Sequence, residues 1–301
     1  MHKTKREAYL GTLFALPTWI LVLGLFILPL GLAIWMSFND WPLIGSPEFS
    51  GAGNYEAMVS NELLIKSIIF TLIYTVTIAI IYLLVGLSLA LLVQNSRPGV
   101  GVFRTLYLLP TAVGLSSAAL LFYSLYTPSF GPVPDLFVSL GLTEEPLNLL
   151  STQEGSFAGA VAMVTWRFAG FNMIILLTGL QAIPLEAIEA ARIDGANALQ
   201  ILRRITLPLL KPWILLVLIL TVTSGVLVFE PFYVLTAGGP SNSTVTIVMT
   251  MVREAFSRFS LGSAAAIAVA LLVILLAINA IQTILFRDRA SGIKRKAASE
   301  V

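Results

Sequence analysis

The sequence contains no cysteine, and its only histidine is His2. Disulfides, thiolate chemistry and histidine-rich metal sites are therefore excluded. Charge is also scarce: Asp, Glu, Lys and Arg make up 11% of the 301 residues, against about 25% in soluble domains. Hydrophobic residues take their place, at 57% of the chain, and the mean hydropathy is +0.90. This composition indicates an integral membrane protein.

Long apolar stretches account for most of this composition. A helix needs about 20 mainly apolar residues to cross the hydrocarbon core of a bilayer. Six stretches meet this requirement, at residues 10–38, 65–93, 106–125, 157–180, 213–234 and 264–286. The first follows Lys3, Lys5 and Arg6 as in a signal peptide, but it is too long and no clear small-residue cleavage site follows it. We therefore expect an all-α membrane protein with six transmembrane helices.

Lys and Arg are divided unevenly between the connections that join the apolar stretches, and this division indicates how the chain is oriented in the membrane. One alternating set of connections contains Lys3, Lys5, Arg6, Arg97, Arg104, Arg192, Arg203, Arg204, Lys211, Arg287, Arg289, Lys294, Arg295 and Lys296. The other set, around residues 39–64, 126–156 and 235–263, has only Arg253 and Arg258 as clear loop bases. The positive-inside rule makes the first set cytoplasmic and places both termini inside. The basic excess thus reflects topology, and no nucleic-acid partner is expected.

One membrane domain with two short ends is the simplest organisation. Residues 1–9 are expected to form a cytoplasmic N-terminus, residues 10–286 the six-helix domain, and residues 287–301 a basic cytoplasmic tail. The tail is expected to lie against anionic lipid headgroups, where each base contributes about 1 kcal/mol. Glycine and proline punctuate the outer loops, which are expected to be connections or gates rather than domains.

A spaced pattern of residues lies between the fourth and fifth apolar stretches. Glu189-Ala190-Ala191 is followed after three residues by Gly195, and after nine more by Ile205-Thr206-Leu207-Pro208. Pro184 suits the first turn of a short helix, and Glu186 lies near the positive N-terminal end of that helix. Gly195 can supply the left-handed residue that ends it.

A second helix is expected after this turn. Asn197 and Gln200 have the spacing of a capping box, and Pro208 and Pro212 are expected to interrupt the helix before the next span. The result would be a helix-turn-helix lying across the membrane surface, able to pass a partner's displacement into the adjoining spans. The alternative is an ordinary amphipathic helix resting on lipid headgroups.

The pattern at residues 189–208 resembles the EAA loop of permease subunits in binding-protein-dependent ABC importers, EAA-x3-G-x9-I-x-L-P, at every position. The resemblance implies a type I ABC importer permease fold with a coupling loop, at about residues 184–212, that docks on a cytoplasmic ATPase. The residues assigned to coupling are Glu186, Glu189, Ala190, Ala191, Asp194, Gly195, Ile205, Leu207 and Pro208. Glu189 would contact a basic residue of the ATPase groove, and Gly195 would permit the tight turn.

Two further motifs resemble those of carbohydrate-importer permeases. Thr236-Ala237-Gly238-Gly239-Pro240 matches T-x-G-G-P, and residues 49–55, FSGAGNY, match F-x-G-x-x-N-Y. The resemblance implies a second permease subunit, two copies of a cytoplasmic ATPase, and an extracytoplasmic solute-binding protein. It also implies a carbohydrate, or a related polyol or sugar phosphate, as the solute, transported by alternating access.

Nucleotide is expected to bind elsewhere in the complex. The chain has no G-x-x-x-x-G-K-[ST] sequence with which to hold nucleotide phosphates. ATP and Mg²⁺ are therefore expected in the partner ATPase. No cofactor, metal site or enzymatic activity is expected in this chain.

Polar residues inside the apolar stretches are candidates for the solute pathway, because charges in a bilayer normally face the bundle interior, a partner or water. Arg167 lies near mid-depth of the fourth stretch, and Glu230 toward the outer end of the fifth. With their helical neighbours, the expected pathway residues are Arg167, Phe168, Phe171, Asn172, Thr221, Ser224, Gly225, Val228 and Glu230. Ser224 and Gly225 also suit close helix packing. Arg167 and Glu230 equally suit a gate or a structural ion pair.

Two other classes of protein stay open at this point. A self-contained secondary transporter or channel would need its own coupling-ion or filter groups, and Glu230 is the only clear acid within a stretch. A membrane-embedded enzyme has less support, because no histidine or cysteine lies in a span. We therefore expect a permease subunit in a bacterial or archaeal cytoplasmic membrane.

Overall fold

A computed structural model describes residues 2–95 and 97–287 of the chain. The helices are α1 (His2–Val22), α2 (Leu28–Ser37), α3 (Gly53–Ser60), α4 (Glu62–Val93), α5 (Val100–Leu108), α6 (Leu115–Tyr126), α7 (Pro132–Ser139), α8 (Gln153–Gln181), α9 (Leu185–Ile193), α10 (Ala198–Ile201), α11 (Leu207–Val226), α12 (Glu230–Thr236), α13 (Ile247–Phe256) and α14 (Leu261–Arg287). Two short strands, β1 (Asn39–Asp40) and β2 (Glu48–Phe49), pair antiparallel. The predicted tail bases Arg289, Lys294, Arg295 and Lys296 lie outside the described residues.

Within the described residues, five helices are long and apolar enough to cross a membrane: Leu13–Ser37, Glu62–Val93, Gln153–Gln181, Ala198–Val226 and Leu261–Phe286. The predicted third span is not the continuous helix expected at residues 106–125. It consists of Val100–Ala112 and Leu115–Tyr126, which meet at an angle of 96°. The helix tightens to a 3₁₀ turn at Leu109–Ala112, and the next two residues adopt extended ψ values of 129° and 144°. Six spans are thus present only if this bent pair counts as one.

The expectation that Pro208 and Pro212 interrupt the helix before the fifth span is wrong. Helices α10 and α11 are joined by a π-helical turn, Leu202–Thr206, and form one helix from Ala198 to Val226. A similar turn, Leu23–Ile27, precedes Pro29 and joins α1 to α2. A proline ring crowds the carbonyl four residues before it, and a π-helical turn widens the backbone at that place. Pro29 and Pro208 are therefore accommodated by a change in local winding, and Pro212 lies inside α11 without ending it.

The fifth span also ends earlier than expected. The sequence predicts a stretch to residue 234, whereas the helix stops at Val226 and α12 begins at Glu230 after a short break. Phe229, at this break, has φ −137° and ψ −66°, which lie outside the helical region. The fifth predicted stretch therefore consists of a long helix and a separate short one.

The described residues form two compact units, residues 2–61 with 251–274 and residues 62–250 with 275–287. In the first unit the carboxylate of Glu254 is buried and accepts hydrogen bonds from Asn61 Nδ2 (3.1 Å) and Arg258 Nη1 (2.7 Å). One of the two bases predicted for the outer loops is therefore paired with an acid of its own loop.

In the second unit, the core lies between α4, α8 and α11. Gly225 lets α11 approach α4 closely, because a Cβ at this position would lie 2.8 Å from Thr75 Oγ1 of α4. Aromatic rings fill the core beside this contact, with Tyr74 and Phe232 edge to face at 5.1 Å. The three helices thus form the frame on which the coupling loop and the candidate pathway residues are placed.

Candidate coupling element and translocation pathway

The turn after α9 satisfies its own backbone groups. Gly195 has φ +81°, the left-handed conformation predicted from the sequence. Its N–H donates to Arg192 O (3.0 Å), and Ala196 N–H donates to Ala191 O (2.9 Å). These two bonds form a Schellman motif, which ends a helix with a tight, well-defined turn. Pro184 immediately precedes α9, one position earlier than the predicted first turn.

The next helix begins at Ala198, three residues after Gly195. Asn197 Oδ1 accepts from Gln200 N–H (2.9 Å), and Gln200 Oε1 accepts from Asn197 N–H (2.8 Å), which is the predicted capping box. Because α10 continues without interruption to Val226, this turn is attached directly to a membrane-length helix. A force applied to α9 would therefore reach the fifth span through a rigid connection.

Most of the predicted coupling residues are accessible. Glu186, Glu189, Ala190, Asp194, Gly195 and Pro208 are exposed, and Ala191, Ile205 and Leu207 are partly buried. A cavity of about 630 Å³ is lined in part by Ile188, Glu189 and Arg192, and a second, of about 350 Å³, by Asp194, Gly195 and Arg204. The surface of the coupling loop therefore contains two grooves and is not flat.

Three apolar residues on this element were not predicted from the sequence. Leu185, Ile193 and Leu199 are exposed, and Ile193 is 86% accessible. Large apolar side chains this accessible on a short polar helix are typical of a surface that contacts another protein or the membrane. Their position in the sequence could have identified them, because each lies at or near the end of a short helix, beside the predicted coupling residues.

Arg167 of α8 contacts the break in the third span. Its Nε donates to Val113 O (2.7 Å), and its Nη2 lies 3.5 Å from Thr111 O. The guanidinium carbon lies 4.4 Å from the centre of the Phe168 ring, at cation–π distance. Within residues 97–287 no ion pair joins Arg167 to Glu230, so the alternative of an ion pair within this chain is not observed.

The other predicted residues of α8 divide between surface and core. Phe171 is 40% exposed, and Trp166, five residues earlier, is also exposed. Asn172 is buried, and its Nδ2 donates to Phe168 O within the same helix (3.1 Å). Of the predicted set, Phe171 is therefore the most accessible residue on this helix.

The predicted stripe on the fifth span is mostly a packing surface. Thr221 and Gly225 are buried, whereas Ser224 is exposed and donates to Thr221 O (3.0 Å). Val228 is also buried and lies beyond the end of α11, so the helical spacing that grouped it with the others does not reach it. Glu230 is partly exposed and begins α12.

The break in the fifth span is stabilised by a residue that was not predicted from the sequence. Thr246 is fully buried, and its Oγ1 donates to Val228 O (2.8 Å). The T-x-G-G-P loop lies between these two residues in sequence. Within it, Thr236 Oγ1 and Thr244 Oγ1 are 2.8 Å apart, and Thr244 Oγ1 donates to Gly239 O (2.6 Å). The motif thus forms a folded turn that carries its own hydrogen bonds.

The F-x-G-x-x-N-Y motif organises the first unit around Asn54. This side chain is buried, and its Nδ2 donates to Ser37 O (3.0 Å) and to Asn39 O (2.8 Å). Its Oδ1 accepts from Ser263 Oγ at 3.3 Å. The motif's tyrosine, Tyr55, donates through its hydroxyl to Ser37 Oγ (2.7 Å). Asn54 therefore joins the end of α2, strand β1 and the start of α14.

The matching family is described as binding-protein-dependent transport system inner membrane component, and it matches residues 97–291. The chain belongs to this family. Its members are permease components of ABC transporters, so the predicted function as a permease subunit in the inner membrane is confirmed. The matched range includes the coupling loop and both interrupted spans.

Relatives of the permease share most of its length. It is 36% identical over 258 residues to the trehalose/maltose transport system permease protein MalF of Thermococcus litoralis, which covers 85% of each chain. It is 32% identical over 279 residues to the sn-glycerol-3-phosphate transport system permease protein UgpA of Yersinia enterocolitica, which covers 91% of this chain and 93% of that one. Both names describe those relatives.

Solved structures establish the fold. A chain of a bacterial ABC transporter that imports the acidic polysaccharide alginate matches with a TM-score of 0.83 and 24% identity, covering 96% of the permease and 98% of that chain. A chain of an amino acid ABC transporter matches with a TM-score of 0.52 and 18% identity. The predicted importer permease fold is confirmed by these matches.

Proposed function

We propose that the permease forms one half of the translocation pathway of an ATP-driven importer for a carbohydrate or a related polyol or sugar phosphate. The observation that carries this proposal is the coupling loop, whose rigid turn is continuous with a membrane span. The names of the relatives support the solute class, since they refer to trehalose, maltose and glycerol 3-phosphate.

The proposed orientation places both termini and the coupling loop in the cytoplasm. Arg192, Arg203 and Arg204 lie in or beside the coupling loop and are accessible, as the positive-inside rule expects for cytoplasmic connections. The loops that contain α3, α7 and α13 then face the opposite side. In this orientation the coupling loop is accessible to a cytoplasmic ATPase and the F-x-G-x-x-N-Y motif to an extracytoplasmic protein.

The proposed coupling surface combines charge with exposed apolar area. Glu189 would pair with a basic residue of the ATPase, while Ile193 and Leu199 would be covered by the partner. ATP and Mg²⁺ would be held by the ATPase dimer, whose closure would draw the coupling loops together and open the cavity outward. A second permease would complete the pathway, and a solute-binding protein would deliver the solute.

The proposed pathway surface includes three accessible members of the predicted set. Phe171 offers an aromatic face, Ser224 a hydroxyl and Glu230 a carboxylate, and all three are at least partly exposed. Sugars are recognised in this way, by an aromatic ring against an apolar sugar face and by polar groups on the hydroxyls. Buried Asn172, Thr221, Gly225 and Val228 would support this surface rather than contact the solute.

Gly195 provides a test of the coupling element. A Cβ added there would meet nothing within 4 Å, so the only obstacle to substitution is the left-handed backbone. Asparagine tolerates this conformation, whereas a β-branched residue in it is strained by about 1–3 kcal/mol. We expect Gly195→Val to lose solute-stimulated ATPase activity and uptake, and Gly195→Asn to retain most of both.

The measurement uses tagged permease purified in mild detergent with its partners and reconstituted into liposomes. Mass spectrometry identifies the associated chains, and ATP hydrolysis and uptake of labelled maltose, trehalose and glycerol 3-phosphate are then compared between the two variants. Equal coupling in Gly195→Val and Gly195→Asn would contradict the assigned role of the turn. Uptake by the permease alone, without an ATPase, would support a self-contained transporter instead.

A further inference from the structure

The break in the third span leaves backbone carbonyls without helical donors. Val113 N–H bonds to Pro110 O (3.1 Å), and helical bonding resumes only where Ala118 N–H donates to Gly114 O (2.9 Å). The carbonyls of Thr111 and Val113 lie in this gap. At membrane depth a carbonyl without a donor is costly, and a broken helix persists only where neighbouring groups supply the missing bonds.

Arg167 supplies those bonds from the neighbouring helix α8. Its Nε donates to Val113 O (2.7 Å), and its Nη2 approaches Thr111 O (3.5 Å). Thr111 Oγ1 in turn donates to Arg167 O (2.9 Å), so side chain and backbone of both residues are engaged. We propose that Arg167 is a positioning residue that holds the bent third span by hydrogen bonding to its free carbonyls, and is not a ligand of the transported solute.

The surroundings of the guanidinium favour this role. One face is covered by the Phe168 ring at 4.4 Å, and within residues 97–287 no carboxylate pairs with Arg167. The positive charge is therefore balanced by carbonyl dipoles and an aromatic face. A guanidinium already engaged by these groups has fewer donors available for a hydroxyl or a phosphate.

The fifth span repeats this arrangement with a different side chain. Its break exposes Val228 O, to which buried Thr246 donates (2.8 Å). Helix α6, which follows the first break, packs against α12, which follows the second. The two breaks thus determine the position of α12, which begins with Glu230 of the proposed pathway surface. Loss of the Arg167 bonds should therefore displace a pathway wall without removing a solute contact.

Because the chain has no cysteine, a single introduced cysteine is the only thiol of this chain that can be labelled. A cysteine placed at the break therefore reports on the accessibility of the break. Ala112 is exposed at the break, and Ser124 is exposed near the other end of α6. We would measure the rate at which a maleimide labels Ala112→Cys in the purified complex, with Ser124→Cys as the control reporter. Each reporter is combined with Arg167→Met, Arg167→Lys or Thr111→Val.

The expected result is a change confined to the break. A hydrogen bond to a charged donor corresponds to about a tenfold change in an opening equilibrium. Labelling of Ala112→Cys should accordingly accelerate about tenfold in Arg167→Met and less in Arg167→Lys, which retains the charge. Thr111→Val should also accelerate it. Arg167→Met combined with Thr111→Val should exceed Arg167→Met alone only slightly, because both changes break one network. Labelling of Ser124→Cys should be unchanged.

A transport assay separates this role from solute binding, and this part alone rests on the proposed function. If Arg167 is a positioning residue, Arg167→Lys and Thr111→Val should lower the maximal uptake rate at nearly constant solute KM. Unchanged labelling of Ala112→Cys in all three variants would overturn the proposal, as would a raised solute KM in Arg167→Lys with normal uptake by Thr111→Val. If Arg167→Met fails to fold, Arg167→Lys and Thr111→Val carry the same test.

Discussion

Asn54 is a buried polar residue of the first unit, and its replacement should destabilise that unit. Its side chain makes three hydrogen bonds, to Ser37 O, Asn39 O and Ser263 Oγ, and it is buried. Asn54→Ala removes all three, at about 1 kcal/mol each, and leaves two carbonyls unpaired at a further cost of about 1 kcal/mol apiece unless water reaches them. A total loss of about 3–5 kcal/mol is therefore expected.

Asn54→Asp makes the test sharper, because it preserves the shape of the side chain. The Oδ1 that accepts from Ser263 is kept, whereas the Nδ2 donor becomes an oxygen facing the carbonyls of Ser37 and Asn39. Two attractive contacts thus become repulsive, and the variant should be at least as unstable as Asn54→Ala. Exposed Asn148 has no side-chain capping bond, so Asn148→Asp is a control with the same chemical change.

The assay is thermal unfolding of the purified permease in detergent, combined with hydrogen exchange of residues 37–54. At about 2–4 °C per kcal/mol, both Asn54 variants should melt about 10 °C below the parent. Amide exchange should accelerate in β1 and at the end of α2. A melting temperature within about 1 °C of the parent for Asn54→Asp, or an equal decrease for Asn148→Asp, would refute the assigned role.

Two further predictions concern packing and capping. Gly225→Ala places a Cβ 2.8 Å from Thr75 Oγ1, so the free energy of unfolding should fall by about 1–3 kcal/mol. Gly31→Ala is the control, because a Cβ there meets nothing within 4 Å, and this variant should melt like the parent. Equal melting temperatures of the two variants would contradict this account. Asn197→Ala removes the bond from Gln200 N–H to Asn197 Oδ1, at about 1 kcal/mol, and keeps the bond from Asn197 N–H to Gln200 Oε1. Amide exchange near residue 200 should accelerate, and unchanged exchange would show that the turn is held by other contacts.

The coupling loop could be predicted in detail because its structure is local. The left-handed Gly195 and the capping box of Asn197 and Gln200 involve residues no more than three positions apart. Such motifs depend on the conformational freedom of glycine and on the reach of short polar side chains. The same local logic failed at Pro208, because a helix can widen into a π-helical turn, and the sequence alone does not indicate when it will.

The pathway residues could be predicted only as types of side chain at membrane depth. Arg167 was recognisable as a charge in an apolar stretch, yet its partners, Thr111 O and Val113 O, lie more than 50 positions away. Helical spacing grouped Val228 with Thr221, but the helix ends between them. Which face of a span is buried depends on neighbours that are distant in sequence.

By itself the sequence determined that this protein spans a membrane, approximately where its helices run, and the family to which it belongs, because hydrophobic length and short-range spacing are properties of consecutive residues. The tertiary structure alone decided that the third and fifth predicted spans are interrupted, that Arg167 and Thr246 donate to the freed carbonyls, and that Asn54 joins three elements. These outcomes depend on donors and acceptors meeting across the bundle, and that meeting is a result of packing.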